Sequence, residues 1–201
     1  MSDTGSENGD KEEGPSIGIY EGDRNALKER HGKGKNTFPN GDTYEGQYAN
    51  SKRSGQGVYK WKAGHRYIGN YQDNQRNGQG YFVYPDGSKY RGDFVAGKRH
   101  GSGVYAYANG DVYQGAWEND LKHGQGVYMY QNGSKARKSG NWVEGKLLGP
   151  GEIIYADHKI IGNFKSDDRM DMPVKIHFTK TNYTKTVHDP ALVGMEAPAV
   201  L

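Results

Sequence analysis

The sequence predicts an all-β fold, an open single-layer antiparallel meander of tandem β-hairpins, on the strength of three markers that share one period. A Tyr-x-Gly pair recurs at Tyr20/Gly22, Tyr44/Gly46, Tyr67/Gly69, Tyr90/Gly92 and Tyr113/Gly115. A Gly-x-Gly pair keeps the same beat at Gly32/Gly34, Gly55/Gly57, Gly78/Gly80, Gly101/Gly103 and Gly124/Gly126, then slips by two to Gly149/Gly151. A turn dipeptide follows suit at Asn40-Gly41, Ala63-Gly64, Asp86-Gly87, Asn109-Gly110 and Asn132-Gly133. Self-similarity at a fixed period of this length marks a repeat architecture.

Within one unit, residues 43–48 and 55–61 read as two strands joined by a polar loop over 50–54, and the Asn-Gly or Asp-Gly that follows is a strong short-range hairpin signal. No segment shows the 3.6-residue apolar period of a helix. Alternation along a strand decides which side chains meet. On the first strand Tyr44, Gly46 and Tyr48 share a face, as do Tyr113, Gly115 and Trp117; on the second, Gly55, Gly57, Tyr59 and Trp61 do so. Every glycine of the motif therefore falls on the aromatic face. Glycine weakens an isolated strand, so its regular placement implies that a ring lies over the bare backbone. Each cross-strand aromatic pair adds roughly 0.2–1 kcal/mol, so stability has to accumulate from neighbour to neighbour.

Composition agrees. Only 33% of the 201 residues are hydrophobic, too few for a thick aliphatic core, yet 16 tyrosines and 31 glycines are too distinctive for a chain that stays solvated. Cysteine is absent, which excludes disulfides and thiolate metal sites and fits a reducing compartment. Nothing resembles a signal peptide or approaches 18 consecutive apolar residues, so the expectation is a soluble chain of the cytoplasm. In such a compartment the Asn-x-Ser/Thr matches at Asn132 and Asn182 carry no glycan.

The expected organisation has three parts. Residues 1–16 form a disordered acidic leader, with Asp3, Glu7, Asp10, Glu12 and Glu13 against Lys11. Residues 17–165 form the array, in units of about 20–43, 44–66, 67–89, 90–112 and 113–137, with a degenerate unit over 138–165. Residues 166–201 are a C-terminal extension, in which Val174, Ile176 and Phe178 alternate as a capping strand before a flexible tail.

Candidate sites follow from the same pattern. The aromatic face is the candidate groove for another protein, through Tyr48, Tyr59, Trp61, Tyr71, Phe82, Tyr84, Phe94, Tyr105, Tyr107, Trp117, Tyr128, Tyr130 and Trp142, because large rigid rings supply binding hot spots. Basic residues precede each Gly-x-Gly, and Lys52, Arg53, Arg76, Lys98, Arg99 and Lys122 would line one edge as an anion or lipid contact. The competing reading is that charges at loops and edges keep a single sheet soluble and unpaired.

Other chemistries are disfavoured. His31, His100 and His123 occupy equivalent positions in different units, too far apart for one zinc ion. Gly92 to Lys98 and Gly140 to Lys146 approach a phosphate-binding loop, but Arg99 and Leu147 stand where the Mg²⁺-binding hydroxyl belongs. Catalysis requires a unique converging constellation, whereas these polar side chains recur by translation; the chain reads as no enzyme, with no cofactor and no metal. Nucleic acid is also disfavoured, since the rings are needed to cover glycines.

At these residues the chain resembles the MORN repeat family, whose pattern is carried most fully by Tyr113-Gln-Gly115-Ala-Trp117 through His123-Gly124-Gln-Gly126, and the likeness extends over about residues 18–165. Within that family it is most similar to the radial-spoke-head members of ciliary axonemes. The stretches that carry this are Met1-Ser-Asp with its acidic leader, Glu29-Arg-His-Gly32-Lys-Gly34, Pro39-Asn-Gly-Asp-Thr-Tyr-Glu-Gly46, Arg66-Tyr-Ile-Gly69 and Tyr84-Pro-Asp-Gly-Ser-Lys-Tyr90. The resemblance implies a structural scaffold subunit of the radial spoke head in motile cilia or flagella. Its partners would be other spoke-head subunits and the central apparatus, and its location the cytoskeleton of the axoneme. The alternative is a MORN adaptor that tethers a complex to a phosphoinositide-containing membrane. The pattern departs from the family after Gln131, where the expected tyrosine is replaced within Ser134-Lys-Ala-Arg-Lys-Ser-Gly140, and in Ile160-Ile-Gly162-Asn-Phe164.

Overall fold

The computed structural model describes residues 18–131, 133–166 and 169–193. The leader expected over 1–16, and the last part of the expected tail, lie outside them. Among the described residues the chain is an open antiparallel β meander, as its sequence predicts, with one short 3-10 turn at Pro190–Leu192. It divides into two compact units, residues 1–99 and 100–201, with the boundary inside one strand.

In the first unit seven strands lie side by side in chain order: β1 (Ile19–Arg24), β2 (Arg30–Thr37), β3 (Thr43–Ala49), β4 (Lys52–Lys60), β5 (Arg66–Gln72), β6 (Gln75–Val83) and β7 (Lys89–Val95). The boundary strand β8 (Lys98–Ala106) follows. The second unit continues with β9 (Val112–Glu118), β10 (Leu121–Met129), β11 (Arg137–Val143), β12 (Lys146–Ile154) and β13 (His158–Ser166). Strand β15 (Val174–Phe178) pairs with β13 and then with β16 (Tyr183–Val187), while the two-residue β14 (Arg169–Met170) also pairs with β13.

The register sets glycine opposite glycine. Gly46 faces Gly57, and Gly57 in turn faces Gly69; Gly115 faces Gly126, and Gly126 faces Gly140. The reason is steric. A Cβ added to Gly57 would stand 2.5 Å from Cζ of Tyr44, and one added to Gly126 would stand 2.7 Å from Cζ of Tyr113. Each tyrosine ring thus lies flat on the backbone of its own hairpin, where only glycine leaves room. These tyrosines are the centre of the packing: Tyr44, Tyr67, Tyr90 and Tyr113 are all fully buried.

The turns differ from the sequence reading in one respect. The tight two-residue hairpin loops are Asn50-Ser51, Asp73-Asn74, Ala96-Gly97, Asn119-Asp120 and Glu144-Gly145, each with positive φ at both positions, as a right-twisted two-residue turn requires. Strand β4 therefore starts at Lys52, three residues before the expected Gly55, and Arg53 and Ser54 belong to it. The Asn-Gly dipeptides sit instead in the wider connections. There the Gly41 N–H donates to the Phe38 carbonyl at 2.9 Å and the Phe38 N–H to the Asp42 carbonyl at 2.9 Å. In the turns without glycine, Asn, Asp and Ser reach positive φ at modest cost because their short polar side chains bond locally, so a two-residue turn closes without the Gly that usually marks it.

The second unit ends on different chemistry. Ile160, Val174, Ile176, Phe178 and Val187 form an aliphatic cluster, with Tyr155, Met170, Met172 and Val193 packed against it.

Candidate docking surface

The aromatic face carries two rows of rings. In the first unit the deeper row runs Tyr20, Tyr48, Tyr44, Tyr71, Tyr67, Phe94, Tyr90, each meeting the next edge-to-face at 5.1–5.4 Å between centroids. In the second unit Tyr113 meets Trp117 and Trp142 in the same way, at 5.2 Å. Edge-to-face contacts place the positive rim of one ring on the negative face of the next, which is favourable beyond the area buried. The tyrosine that opens each Tyr-x-Gly pair also donates its hydroxyl to a carbonyl three residues on, Tyr44 to Gln47 at 2.9 Å and Tyr113 to Ala116 at 3.0 Å. The indole N–H groups of Trp117 and Trp142 donate to the carbonyls of Gly103 and Gly126. Burial pushes the phenol pKa values of Tyr44, Tyr67 and Tyr113 up, and that of Tyr48 to about 12, so these four rings stay neutral throughout the physiological range.

The second row is shallower and lies near the wide connections. Phe38, Tyr59, Trp61, Phe82 and Tyr84 follow one another at 4.3–5.6 Å in the first unit, and Tyr105, Tyr107, Tyr128 and Tyr130 at 4.6–5.5 Å in the second.

The thirteen rings expected to line a groove fall into two groups. Tyr48, Tyr59, Tyr71, Phe82, Phe94, Tyr105, Trp117 and Trp142 are buried in the packing, whereas Trp61, Tyr84, Tyr107, Tyr128 and Tyr130 are half-exposed. The half-exposed group is the part of the face that presents ring surface to solvent.

The six basic residues expected along an edge also divide. Lys52 and Lys98 are exposed, and Lys52 pairs with Asp73 at 3.2 Å. Arg76 and Arg99 are buried, while Arg53 and Lys122 are half-buried. Their heads lie over rings: the Arg76 guanidinium is 5.1 Å from the centroid of Phe82 and 5.4 Å from that of Phe94, and the Lys122 ammonium is 4.4 Å from that of Trp142. The arginines also staple consecutive hairpins. Arg30 donates to the carbonyl of Ser51, Arg53 to that of Asn74 and Arg76 to that of Gly97, at 2.6–2.9 Å, while the N–H of each turn residue returns a bond to the carbonyl of the same arginine. A planar head with several donors and an apolar stem meets both demands.

A further polar site lies beside the second row, at a position the sequence motif does not mark. Asp42 accepts from the Tyr59 hydroxyl at 2.8 Å and from the Lys62 N–H at 2.9 Å; Asp111 accepts from the Tyr128 hydroxyl at 2.8 Å and the Gln131 N–H at 2.8 Å. Burial pushes the Asp111 carboxyl upward, but the Gln131 N–H, the Tyr128 hydroxyl and the Asn109 amide together outweigh it and hold the pKa below the ordinary carboxylate value. The signal was present as a spacing of 17 residues: where the position holds His65 instead, its partner is Phe82, which has no hydroxyl.

Comparison with known proteins agrees with the register. The MORN repeat model matches residues 28–43, 44–66, 67–89, 90–112, 113–135 and 139–159, well over half of the chain. A stretch of 50 residues is 60% identical to the Radial spoke head 1 homolog of Cyprinus carpio, and one of 48 residues is 58% identical to that of Mus musculus. These stretches are 25% and 24% of the chain, and span 22% and 16% of the length of those relatives. Among solved structures, the TCP domain of Drosophila melanogaster SAS-4, determined with a proline-rich motif of Ana2, superposes with a TM-score of 0.52 at 12% identity, covering 85% of this chain and 88% of that one. At that identity the likeness is one of fold alone.

Proposed function

Because the chain belongs to the MORN repeat family, we propose that it is a structural scaffold subunit of the radial spoke head in motile cilia or flagella. It binds other spoke-head proteins, faces the central apparatus and supports the regulation of axonemal motility. The observation that carries this reading is the 60% identity to a Radial spoke head 1 homolog over 50 residues. The geometry is compatible with a scaffold: its polar groups recur by translation and are engaged in holding neighbouring hairpins together, leaving repeated surface for docking rather than one converging site. The half-exposed rings Trp61, Tyr84, Tyr107, Tyr128 and Tyr130 are the docking residues of choice on the aromatic face.

The lipid-tethering alternative gains nothing from the basic row, because Arg76 and Arg99 spend their charge on rings rather than on the solvent edge. Fractionation of demembranated axonemes tests the proposal. The chain is expected to remain with the axoneme and to co-purify with spoke subunits after salt extraction; complete release with the detergent-soluble membrane fraction would overturn it.

A further inference from the structure

The opposite face of the first unit holds a feature that neither the aromatic packing nor the proposed function uses. Two rows of side chains cross four strands there. In one, Val58 faces Ile68, Ile68 faces Tyr81 and Tyr81 faces Arg91; in the other, Lys60 faces Arg66, Arg66 faces Val83 and Val83 faces Lys89. The four apolar side chains are half-buried and contiguous, and Lys60, Arg66, Lys89 and Arg91 around them are exposed. At about 4.8 Å per strand the patch is roughly 14 Å across.

The charges are unbalanced. Lys60 stands directly across from Arg66, an arrangement that is destabilising between paired strands. None of the four cations makes an ion pair or a side-chain hydrogen bond among the described residues. The carboxylates on this face near the patch are Glu45, opposite Val58, and Asp93, which accepts from the Gln79 amide. The same rows in the second unit are chemically different: Ala106, Val112, Met129, Arg137, Ile154 and Lys159 follow one another, and Lys159 pairs with Glu152 at 3.2 Å. The concentration of unpaired positive charge around apolar side chains is therefore a local property and not a consequence of the repeat.

We propose that this face of the first unit docks a short acidic segment of a partner protein, one that carries apolar side chains between its Asp and Glu residues. Its carboxylates would neutralise the Lys60/Arg66 pair together with Lys89 and Arg91, and its apolar side chains would cover Val58, Ile68 and Tyr81. Charge complementarity selects the acidic partner, and the apolar row selects against a purely polyanionic one. A membrane is the poorer fit. The apolar side chains are half-sunk in a flat sheet, whereas interfacial binding buries side chains that project into the acyl boundary. The proposal is independent of where in the cell the chain works.

The test uses the full chain and a fluorescein-labelled 12-residue peptide of Glu and Asp interspersed with Leu and Phe, read by fluorescence anisotropy at low and high salt. Binding is expected to weaken with salt, to fall at least tenfold in the Lys60→Glu/Arg66→Glu variant and at least threefold in Ile68→Thr, and to stay unchanged in Lys28→Glu, an exposed cation away from the patch. Lys60→Glu alone puts opposite charges across the strands, so it is expected to raise the melting temperature while weakening the peptide. That opposite movement would not come from a purely structural role. Should the double reversal fail to fold, Lys60→Gln and Arg66→Gln serve in its place. The proposal is overturned by the absence of binding, by an equal loss in Lys28→Glu, or by equal affinity when Ser replaces Leu and Phe. It is equally overturned if phosphatidylserine vesicles compete and bind through the same residues more tightly than the peptide.

Discussion

Two consecutive hairpins of the second unit, one starting at Tyr113 and the next at Lys138, occupy equivalent places in the register and solve the same packing problem with different side chains. In the first, the Tyr113 ring covers Gly126, Lys122 reaches over Trp142, and Asp111 holds the Tyr128 hydroxyl. In the second, Lys138 stands where the tyrosine belongs and leans over Tyr130, Leu147 replaces the basic residue, and Ala136 and Ile153 replace the Asp and Tyr pair. The glycines remain: Gly140 faces Gly151, whose missing side chain leaves room for Phe164 at 2.9 Å. The difference shows that the backbone register tolerates loss of the ring provided the vacated space is filled, here by Leu147 and Phe164. It also shows that polar partners are lost together. No carboxylate is left without its phenol.

The largest effect expected from this comparison lies at the glycines. Gly126→Ala places a methyl group against the Tyr113 ring and hydroxyl, and neither the ring nor the paired backbone at Gly115 can withdraw. A loss of about 3 kcal/mol follows from such overpacking. Gly149→Ala, in the next hairpin, meets nothing within 4 Å and bears only the strain of φ +77°, about 1 kcal/mol. Equal losses in urea melts would break the argument that the ring, and not the backbone conformation, demands glycine.

How much of this was readable in the sequence depends on what kind of physics each residue obeys. The Tyr-x-Gly and Gly-x-Gly periods were legible because close approach to a backbone admits only one residue type, and such a constraint repeats without variation. The basic position at Arg30, Arg53, Arg76, Arg99 and Lys122 repeats just as strictly. Its place over the rings was missed because charge suggests solvent, and because Asn50-Ser51 closes a tighter turn than the sequence advertises, which brings Arg53 into the strand. The division of the thirteen rings into buried and half-exposed was not legible either, since alternation gives the face but not the depth. The basic patch on the opposite face is invisible in one dimension, because Lys60 and Arg66, or Tyr81 and Arg91, meet only once the strands are in register.

A smaller effect separates the two hairpins more sharply. Leu147 comes within 3.0 Å of where a Cβ on Gly140 would sit, so it fills the space a ring at position 138 would need. Lys138→Tyr alone is expected to destabilise by about 1–3 kcal/mol through overpacking, and Leu147→Lys alone by a similar amount or more through the cavity it leaves and the charge it introduces. Together they recreate the ring and cation of the preceding hairpin. The double variant should therefore recover about 1 kcal/mol or more relative to the sum. Strict additivity would mean that the two positions do not share one space.

The smallest effect concerns the paired carboxylate. Asp111→Asn puts an amide where two donors point, at a cost of about 1–2 kcal/mol. Its pH dependence has a definite sign. The Asp111 carboxyl is held below its ordinary value of 3.8 in the folded chain, so its contribution is fully present above that value and is lost as pH falls through the lower folded value. The difference in melting temperature between the wild type and Asp111→Asn should accordingly be constant from pH 7 to about pH 5 and shrink below pH 4. The hairpin that follows has Ala136 at this position. Ala136→Ser, in a hairpin where Ile153 takes the position of the phenol, should show no such narrowing. If both differences narrowed alike, the acid sensitivity would belong to the chain as a whole and not to the carboxylate that grips Tyr128.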